Sequence, residues 1–476
     1  MISRNKSNHS HTLSGVGYAC VGVFMMGGSV MQAYTNETVH PVLLAFLLLF
    51  TGVSVVSLLC LGSRPEIRAF LLTFSLCLFL GGLAQWYSTA FFGNVQSTVD
   101  APKFLLQISP RPPFKTMADI PPGFNSPLAI LIWQQIYKVT WWMGFDFGSY
   151  TAVMFNALVM GMTGSITVRT ARELFGDDIW RLRRVGTLFA ACGLFLLFGA
   201  VLLRDCFTTF FNALTLWGLV HWLCRPTMRN LFIALAVTCI SAYAIAYLRF
   251  ESIVLFPFYC CIAILLWFFA GRLHLAHAIV SLIVILALML GSSYLMKHIQ
   301  ISRKLQAEAQ TSYAGNPRAA SQPESLGMRL VVRQPMPIRM VLGSGYLMVF
   351  PIPLWGYLRV GALDYHLFKA YHGVYQVLVL PLVFAGFMVI FREYLKEGRK
   401  QIIPFLFLLS YLLMNLEAVV ATSLEQRHLA QFMSAFVILA AIPDTREIND
   451  RTIVQGTAIT WFALVILVHL AWSMAK

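Results

Sequence analysis

Apolar runs of about 20 residues recur along nearly the whole chain, and they constrain its fold more than any other feature. A run of about that length lets an α-helix cross the hydrocarbon core of a bilayer. Of the 476 residues, 58% are hydrophobic and only 12% are charged, whereas soluble domains carry about 25% charged residues. The sequence therefore excludes a water-soluble enzyme and predicts an all-α, polytopic transmembrane helical bundle.

The order of the runs predicts about thirteen spans, all within a single integral-membrane domain that covers 1–476. The candidate helices lie near 14–34, 41–62, 69–90, 147–168, 185–203, 206–224, 230–248, 252–271, 275–296, 370–391, 401–422, 428–443 and 454–474. Two long connections, about 91–146 and 297–369, interrupt the series. The nine cysteines lie in or beside apolar runs without metal-type spacing, which is typical of small buried hydrophobic residues.

The chain has 35 Lys and Arg against 20 Asp and Glu, a net charge of +15. In a membrane protein such an excess first sets orientation, because basic residues are retained on the cytoplasmic side, so nucleic acid is not an expected partner. Most basic residues of the short connections, such as Arg64, Arg169, Arg225 and Arg392, fall on the side of the N-terminus. We therefore expect a cytoplasmic N-terminus and two external long loops.

The first long loop contains a segment with apolar and aromatic residues at helical spacing, PLAILIWQQIYKVTWWMGF. Gln134, Gln135 and Lys138 fall on its polar side. This pattern predicts a helix that lies in the membrane interface.

A second segment, 341–358, is apolar enough to span, but it contains Pro351, Pro353 and two glycines that disfavour a continuous helix. A full span would also move the basic residues after position 391 to the outside. We interpret the segment as a re-entrant or interfacial hairpin; if it spans, the C-terminus becomes cytoplasmic.

Ionisable residues kept at the edge of a bilayer are costly, and here they concentrate in the short outer turns. The pairs and clusters are Arg204 with Asp205, Arg249 with Glu251, and Glu425 with Arg427 and His428. One interpretation is that acid and arginine only neutralise each other at the headgroups. The other is a shared outward-facing cavity that binds an anion such as pyrophosphate, since guanidinium groups bind phosphate in bidentate fashion.

The first long loop also carries three aspartates, Asp100, Asp119 and Asp146. Asp100 follows the third span, in a loop that the interfacial helix would hold near the headgroups. A carboxylate there can act as general base on an acceptor hydroxyl beside a lipid-linked substrate. The alternative is a solvated loop aspartate without a chemical role.

The order of these features resembles the GT-C-type bacterial membrane glycosyltransferases and polysaccharide polymerases, over roughly residues 85–445. The segments that carry the resemblance are GNVQSTVDAPKFL, RTARELFGDD, LLRDCFTTFFNALTLW, AYLRFESIVLFPFY and EQRHLAQFMSAFVILAAIPD.

The resemblance implies transfer of a sugar or oligosaccharide from a polyprenyl phosphate or pyrophosphate to a saccharide or lipid acceptor. Such transfer builds cell-envelope polysaccharides such as O-antigen, on the outer face of the bacterial cytoplasmic (inner) membrane. Asp100 then matches the catalytic carboxylate. The residues that match the donor-phosphate site are Arg204, Arg249, Arg427 and His428, with Asp205, Glu251 and Glu425 in support.

The chain departs from the family pattern in two points. The aspartate follows the third span, whereas it follows the first in many members, and no second loop carboxylate adjoins it. The sequence names no cofactor: it allows a divalent metal but does not require one, and it assigns no metal ligand.

Two other classes of function stay open. A lipid-linked saccharide flippase or another polytopic transporter would place its substrate near the midplane and often shows paired halves, which are not evident here. A non-catalytic assembly subunit would need neither Asp100 nor the arginines.

Overall fold

The computed structural model describes most of the chain. The described residues are 12–35, 39–60, 63–94, 100–109, 113–121, 126–145, 148–269, 334–349, 363–397, 399–422 and 424–474, with isolated positions at 279–291 and 331. Every element in this part of the chain is a helix, as the sequence predicts. Asp146, most of the predicted span 275–296 and residues 350–358 lie outside the described residues.

The α-helices of the described residues follow one another along the chain. They are α1 (Thr12–Thr35), α2 (His40–Leu59), α3 (Arg64–Phe92), α4 (Ala101–Ile108), α5 (Pro127–Trp142), α6 (Ser149–Phe175), α7 (Ile179–Ala190), α8 (Gly193–Ala200), α9 (Asp205–Cys224), α10 (Met228–Leu248), α11 (Leu255–Phe269), α12 (Met336–Val349), α13 (Asp364–Glu397), α14 (Arg399–Thr422), α15 (Met433–Ala440) and α16 (Ile448–Met474). Short 3-10 helices occupy Met117–Asp119, Phe250–Val254 and Gln426–Phe432.

Seven of these helices are long and apolar enough to cross a membrane, or eight if α7 and α8 form one broken span. They are α2, α3, α6, α10, α13, α14 and α16. The apolar helices indicate a membrane protein, but the count of about thirteen spans is not confirmed. Other apolar runs form shorter helices in the described residues, such as the 15 residues of α11.

Local sequence signals explain where several helices begin and end. Proline occupies the first turn of α2, α3 and α5, where its missing N–H removes no hydrogen bond. The Asp178 side chain accepts from the backbone of Trp180 and Arg181 at the start of α7. Gly93 ends α3 with a φ of 68°, a left-handed conformation that glycine adopts without strain.

The pair α3 and α6 forms the centre of the bundle. Helices α1 and α2 pack against this pair on one side, α9 packs beside α6, and α10 packs on α9. Helix α13 packs on α8, α15 and α16, while α14 contacts α9, α11 and α12. This arrangement brings the starts of α9 and α13 to one end of the bundle, together with the ends of α10 and α14.

Two of the predicted helices, 185–203 and 428–443, are not continuous in the structure, so the prediction of a single unbroken helix was wrong for each. Within 185–203 the chain bends by 57° between α7 and α8, and 428–443 consists of the 3-10 helix Gln426–Phe432 and the eight-residue α15. All eight residues of α8 and all eight of α15 are buried. Each short helix therefore satisfies its ends inside the protein.

The connection from α8 to α9 is held by a side chain of α6. The side-chain amide of Asn156 on α6 donates to the carbonyl oxygens of Val201 and Leu203, at 3.0 and 3.2 Å. Its own oxygen accepts from the indole of Trp133 on α5. The chain beyond α8 is fixed in this way, and Arg204 follows directly.

Helix α5 confirms a helix in the first long loop but differs from the predicted amphipathic pattern. Trp141 and Trp142 are exposed, whereas Gln134 is buried. Its side-chain oxygen accepts from the backbone N–H of Phe114 at 2.9 Å. The prediction of Gln134 on the polar side was wrong, because this amide binds loop backbone that is packed over the helix.

Helix α12 covers the first part of the segment interpreted as re-entrant. Arg339 in its first turns donates to the carbonyl of Ala421 near the end of α14, and Ser344, further along, contacts Glu417 at 3.2 Å. Leu347 accepts from Gln376, three turns into α13. Helix α12 therefore enters from the end of the bundle at which α13 begins, a geometry that favours the re-entrant interpretation.

Candidate functional site

A cluster of ionisable side chains lies where α9 and α13 begin and α10 and α14 end. This rim cluster consists of Asp100, Arg204, Asp205, Arg249, Tyr365, Lys369, Glu425, Arg427 and His428. We call this end of the bundle the Asp100 face and the opposite end the Arg172 face.

Asp100 contacts Arg427, although 327 positions separate them in the sequence. Asp100 immediately precedes α4, and its Oδ2 accepts from the Nη1 of Arg427 at 2.6 Å. The Nε of the same guanidinium lies 3.0 Å from the Oε1 of Glu425. Arg427 is thus shared between a loop carboxylate and a carboxylate of its own turn.

Glu425 holds several groups of the rim cluster together. Its Oε1 accepts from the hydroxyl of Tyr365 at 2.6 Å and lies 4.0 Å from the Nζ of Lys369. Burial alone would raise the pKa of Glu425, but the charges of Arg427 and Lys369 outweigh it and lower the pKa. Glu425 is therefore an anion at neutral pH.

Arg427 keeps its charge although it is largely enclosed. Burial lowers the pKa of a guanidinium, but the anions Glu425 and Asp205 raise the pKa of Arg427 above its ordinary value. A permanently charged, partly enclosed guanidinium is well suited to bind phosphate oxygens.

Arg249, at the end of α10, forms the second ion pair of the cluster. Its Nη1 lies 3.3 Å from the Oδ1 of Asp205, and 8% of its side chain is exposed. Its Nη2 lies 2.5 Å from the Nε2 of His428. Because a guanidinium only donates, Nε2 must accept, and His428 is neutral in this arrangement.

The environment of His428 favours the same neutral form. Burial lowers its pKa well below the ordinary 6.5, and the charges of Arg249, Arg427 and Arg204 lower it further. His428 therefore orients Arg249 and does not add a positive charge to the cluster.

Arg204 lies at the edge of the cluster, where its guanidinium donates to the hydroxyl of Ser126. Ser126 in turn donates to the carbonyl of Leu248, one residue before Arg249, at 2.9 Å. Ser126 has a φ of 62° and Leu424, beside Glu425, a φ of 51°. Such left-handed conformations are strained for residues other than glycine and concentrate at functional sites.

The rim cluster brings together most of the residues that the sequence singles out. Asp100, Arg249, Arg427, His428, Asp205 and Glu425 form contacts with one another, and Arg204 lies close enough to act on His428. Glu251 lies in the 3-10 helix Phe250–Val254, but its side chain is outside the described part. Asp119 is exposed and lies apart, bound within its own turn to Thr116 and the backbone of Lys115.

Two members of the cluster were missed from the sequence, Tyr365 and Lys369. Both fall within the predicted outer loop 297–369, but α13 begins at Asp364 and places them on successive turns. The ammonium of Lys369 lies 4.2 Å from the centre of the Tyr365 ring. Their spacing of four residues just before an apolar run is the signal that could have found them.

An apolar groove lies on the other side of the first turns of α13. It has a volume of about 570 Å³ and is formed by α1, α3, α7, α8 and α13. Its lining includes Phe24, Leu80, Leu83, Leu196 and Phe368, with Asp364 at the end near the rim cluster. The groove is suited to a hydrocarbon chain whose polar end lies beside the cluster.

Among the described side chains of the site, the carboxylates are paired with cations. In the described part of the chain, no three side chains of His, Cys, Asp or Glu are placed to hold a metal ion. The neighbour of Asp100 is the guanidinium of Arg427, and a cation does not fit a metal ligand set. We therefore derive no step through a metal.

Comparison with known proteins does not assign the chain to a family. A scan of protein-family models gives no match, and neither does a search of curated proteins.

Proposed function

We propose that the protein is a membrane glycosyltransferase or polysaccharide polymerase. It would transfer a sugar or oligosaccharide from a polyprenyl phosphate or pyrophosphate donor to an acceptor hydroxyl at the Asp100 face. The observation that carries the proposal is the contact of Asp100 with Arg427, within a cluster that lies beside an apolar groove. A lipid-linked donor needs both environments, because it joins a hydrocarbon tail to an anionic head.

In this proposal the groove holds part of the prenyl tail and the phosphate lies at the start of α13. Asp100 accepts the proton of the acceptor hydroxyl as its oxygen bonds to the anomeric carbon. The bond from that carbon to the phosphate oxygen breaks, and the lipid phosphate leaves with the electron pair. Arg427, Arg249 and Arg204 stabilise the charge that develops on the leaving group.

The distribution of basic residues supports an orientation for this chemistry. The Arg172 face carries many of the chain's cations, among them Arg172, Arg225, Arg392 and Arg446. By the positive-inside rule that face is cytoplasmic. The N-terminus would then be cytoplasmic and the Asp100 face would lie on the outer side of a bacterial inner membrane.

The test is transfer by the purified protein from a labelled polyprenyl-linked saccharide. We expect Asp100→Asn to lower the rate by roughly 10²–10⁴-fold, as for loss of a general base, and Arg204→Ala to lower it as well. Asp119→Asn is the matched control, since it removes a carboxylate of the same loop that does not contact the cluster, and the rate should not change. Full activity of both Asp100→Asn and Arg204→Ala would refute the site.

Two interrupted helical regions favour a second candidate function, a flippase for lipid-linked saccharides. The break between α7 and α8 and the short buried α15 resemble the interrupted helices that transporters use at their substrate sites. Proteoliposomes that move a lipid-linked sugar across the bilayer, with no new glycosidic bond, would support this function over transfer.

A further inference from the structure

The proposed base and the proposed phosphate ligand neutralise each other in this structure. The carboxylate of Asp100 is bound to Arg427 at 2.6 Å. While the pair is formed, the Oδ2 of Asp100 accepts from Arg427 and not from an acceptor hydroxyl, and the guanidinium has one donor fewer for phosphate. The pair therefore occupies one oxygen of the proposed base and one donor of the proposed phosphate ligand.

We infer that the Asp100–Arg427 ion pair is a latch that an anionic lipid phosphate opens. The phosphate takes the place of Asp100 on the Nη1 of Arg427, and the released carboxylate becomes free to accept a proton. The inference rests on the proposed function, and it gives the reaction an order in which the donor binds before the acceptor can be activated.

The contacts of Arg427 indicate which side of the pair would move. Its Nε lies 3.0 Å from the Oε1 of Glu425, and this carboxylate also accepts from the hydroxyl of Tyr365. Asp100, with 37% of its side chain exposed, is the more accessible partner, since 20% of the Arg427 side chain is exposed. The guanidinium can therefore stay in place while the loop carboxylate leaves it.

The order of binding has a chemical advantage. A sugar phosphate donor beside an unpaired carboxylate is exposed to attack by water, which the same base would activate. A base that is released only by the bound donor limits the free carboxylate to the complex that can react.

The latch is tested by a double-mutant cycle on binding of one probe, farnesyl phosphate, to the purified full chain in lipid nanodiscs. Dissociation constants are measured for the wild type, Asp100→Asn, Arg427→Gln and the double variant. We expect Asp100→Asn to tighten binding about fivefold, because Arg427 no longer has a partner to give up. In the Arg427→Gln background the same substitution should leave the dissociation constant unchanged.

The outcomes separate this inference from the proposed function. If Asp100→Asn tightens farnesyl phosphate binding equally in both backgrounds, the effect is a long-range effect of charge. If it does not tighten binding in the wild-type background, the pair does not compete with phosphate. Either result overturns the latch but not the proposed function. Absence of saturable binding to the wild type overturns the proposed function and the latch with it. If Arg427→Gln does not fold, Arg427→Lys replaces it in the cycle. We then expect Asp100→Asn to tighten binding less in the Arg427→Lys background than in the wild type.

Discussion

At the scale of single residues, the sequence predicts the kind of chemistry at the site but not its pairing. The positions of Arg204, Arg249 and Arg427 beside acids at helix ends can be read directly, because ionisable residues at a bilayer edge are few. Asp100 and Arg427 are 327 positions apart in the sequence, so no local sequence pattern predicts their contact. The sequence does not single out Tyr365, because the predicted span begins near 370, whereas α13 begins at Asp364.

His428 gives a prediction about pH. The pKa of His428 in the folded protein lies below the ordinary 6.5. Its contribution to stability is therefore complete above pH 6.5. It is lost as the pH falls, because the unfolded chain then takes up the proton more readily than the folded protein does. We expect the melting temperature of the wild type to fall between pH 6.5 and 5. In His428→Gln, whose amide oxygen can still accept from Arg249, this part of the decline should disappear.

The measurement can use a dye that becomes fluorescent on reaction with thiols. Cys77, Cys192 and Cys206 are buried, so unfolding exposes them and reports the transition in detergent. Parallel declines of the wild type and His428→Gln between pH 6.5 and 5 would contradict the neutral, buried state of His428.

At the scale of elements, hydropathy predicts where helices exist but not where they break. The chain stays apolar through the bend between α7 and α8, so the run near 185–203 reads as continuous. At this bend the chain is packed closely against a helix distant in sequence: a Cβ on Gly193 would lie 2.8 Å from the Cα of His372 on α13. Such close contacts between helices depend on the whole bundle and leave no periodic signal.

The contact of α1 with α3 gives a prediction about packing. A Cβ on Gly82 would lie 2.7–3.0 Å from backbone atoms of Gly28, so the two helices touch through glycines, as is typical of membrane helix pairs. We expect Gly82→Ala to lower the free energy of unfolding by about 1–3 kcal/mol, because backbone must shift.

Gly22 on α1 is the matched control for this packing. A Cβ there has no atom within 4 Å, so Gly22→Ala should leave stability unchanged or raise it by up to about 1 kcal/mol through helix propensity. Thermal unfolding of both variants checks the difference. Equal losses of stability in Gly82→Ala and Gly22→Ala would be evidence against the close approach of α1 and α3.

At the scale of the whole molecule, the described helices place ionic clusters at both ends of an apolar bundle. The Arg172 face is linked by ion pairs such as Arg172–Glu66 and Arg392–Asp450, both at 2.9 Å. The Asp100 face carries the rim cluster and the start of the apolar groove. Composition alone predicts the membrane class, whereas the groove is formed by five helices that range from α1 to α13 along the chain.

The orientation of these two faces can be tested by labelling in spheroplasts. Single cysteines replace Lys103, which is exposed near Asp100, and Lys396, near the end of α13. An impermeant maleimide applied outside should label Lys103→Cys and spare Lys396→Cys, with the wild type as background. Labelling of Lys396→Cys from the outside would contradict the orientation.

The central claim is that the rim cluster binds the phosphate of a lipid-linked donor next to Asp100. The most direct measurement is a cryo-electron microscopy map of the protein with a polyprenyl phosphate. We predict density for the phosphate within hydrogen-bond distance of the Arg427 guanidinium, with the tail in the groove lined by Leu80, Leu83 and Phe368. Phosphate density elsewhere on the protein, with the Asp100–Arg427 pair intact and the groove empty, would contradict the claim.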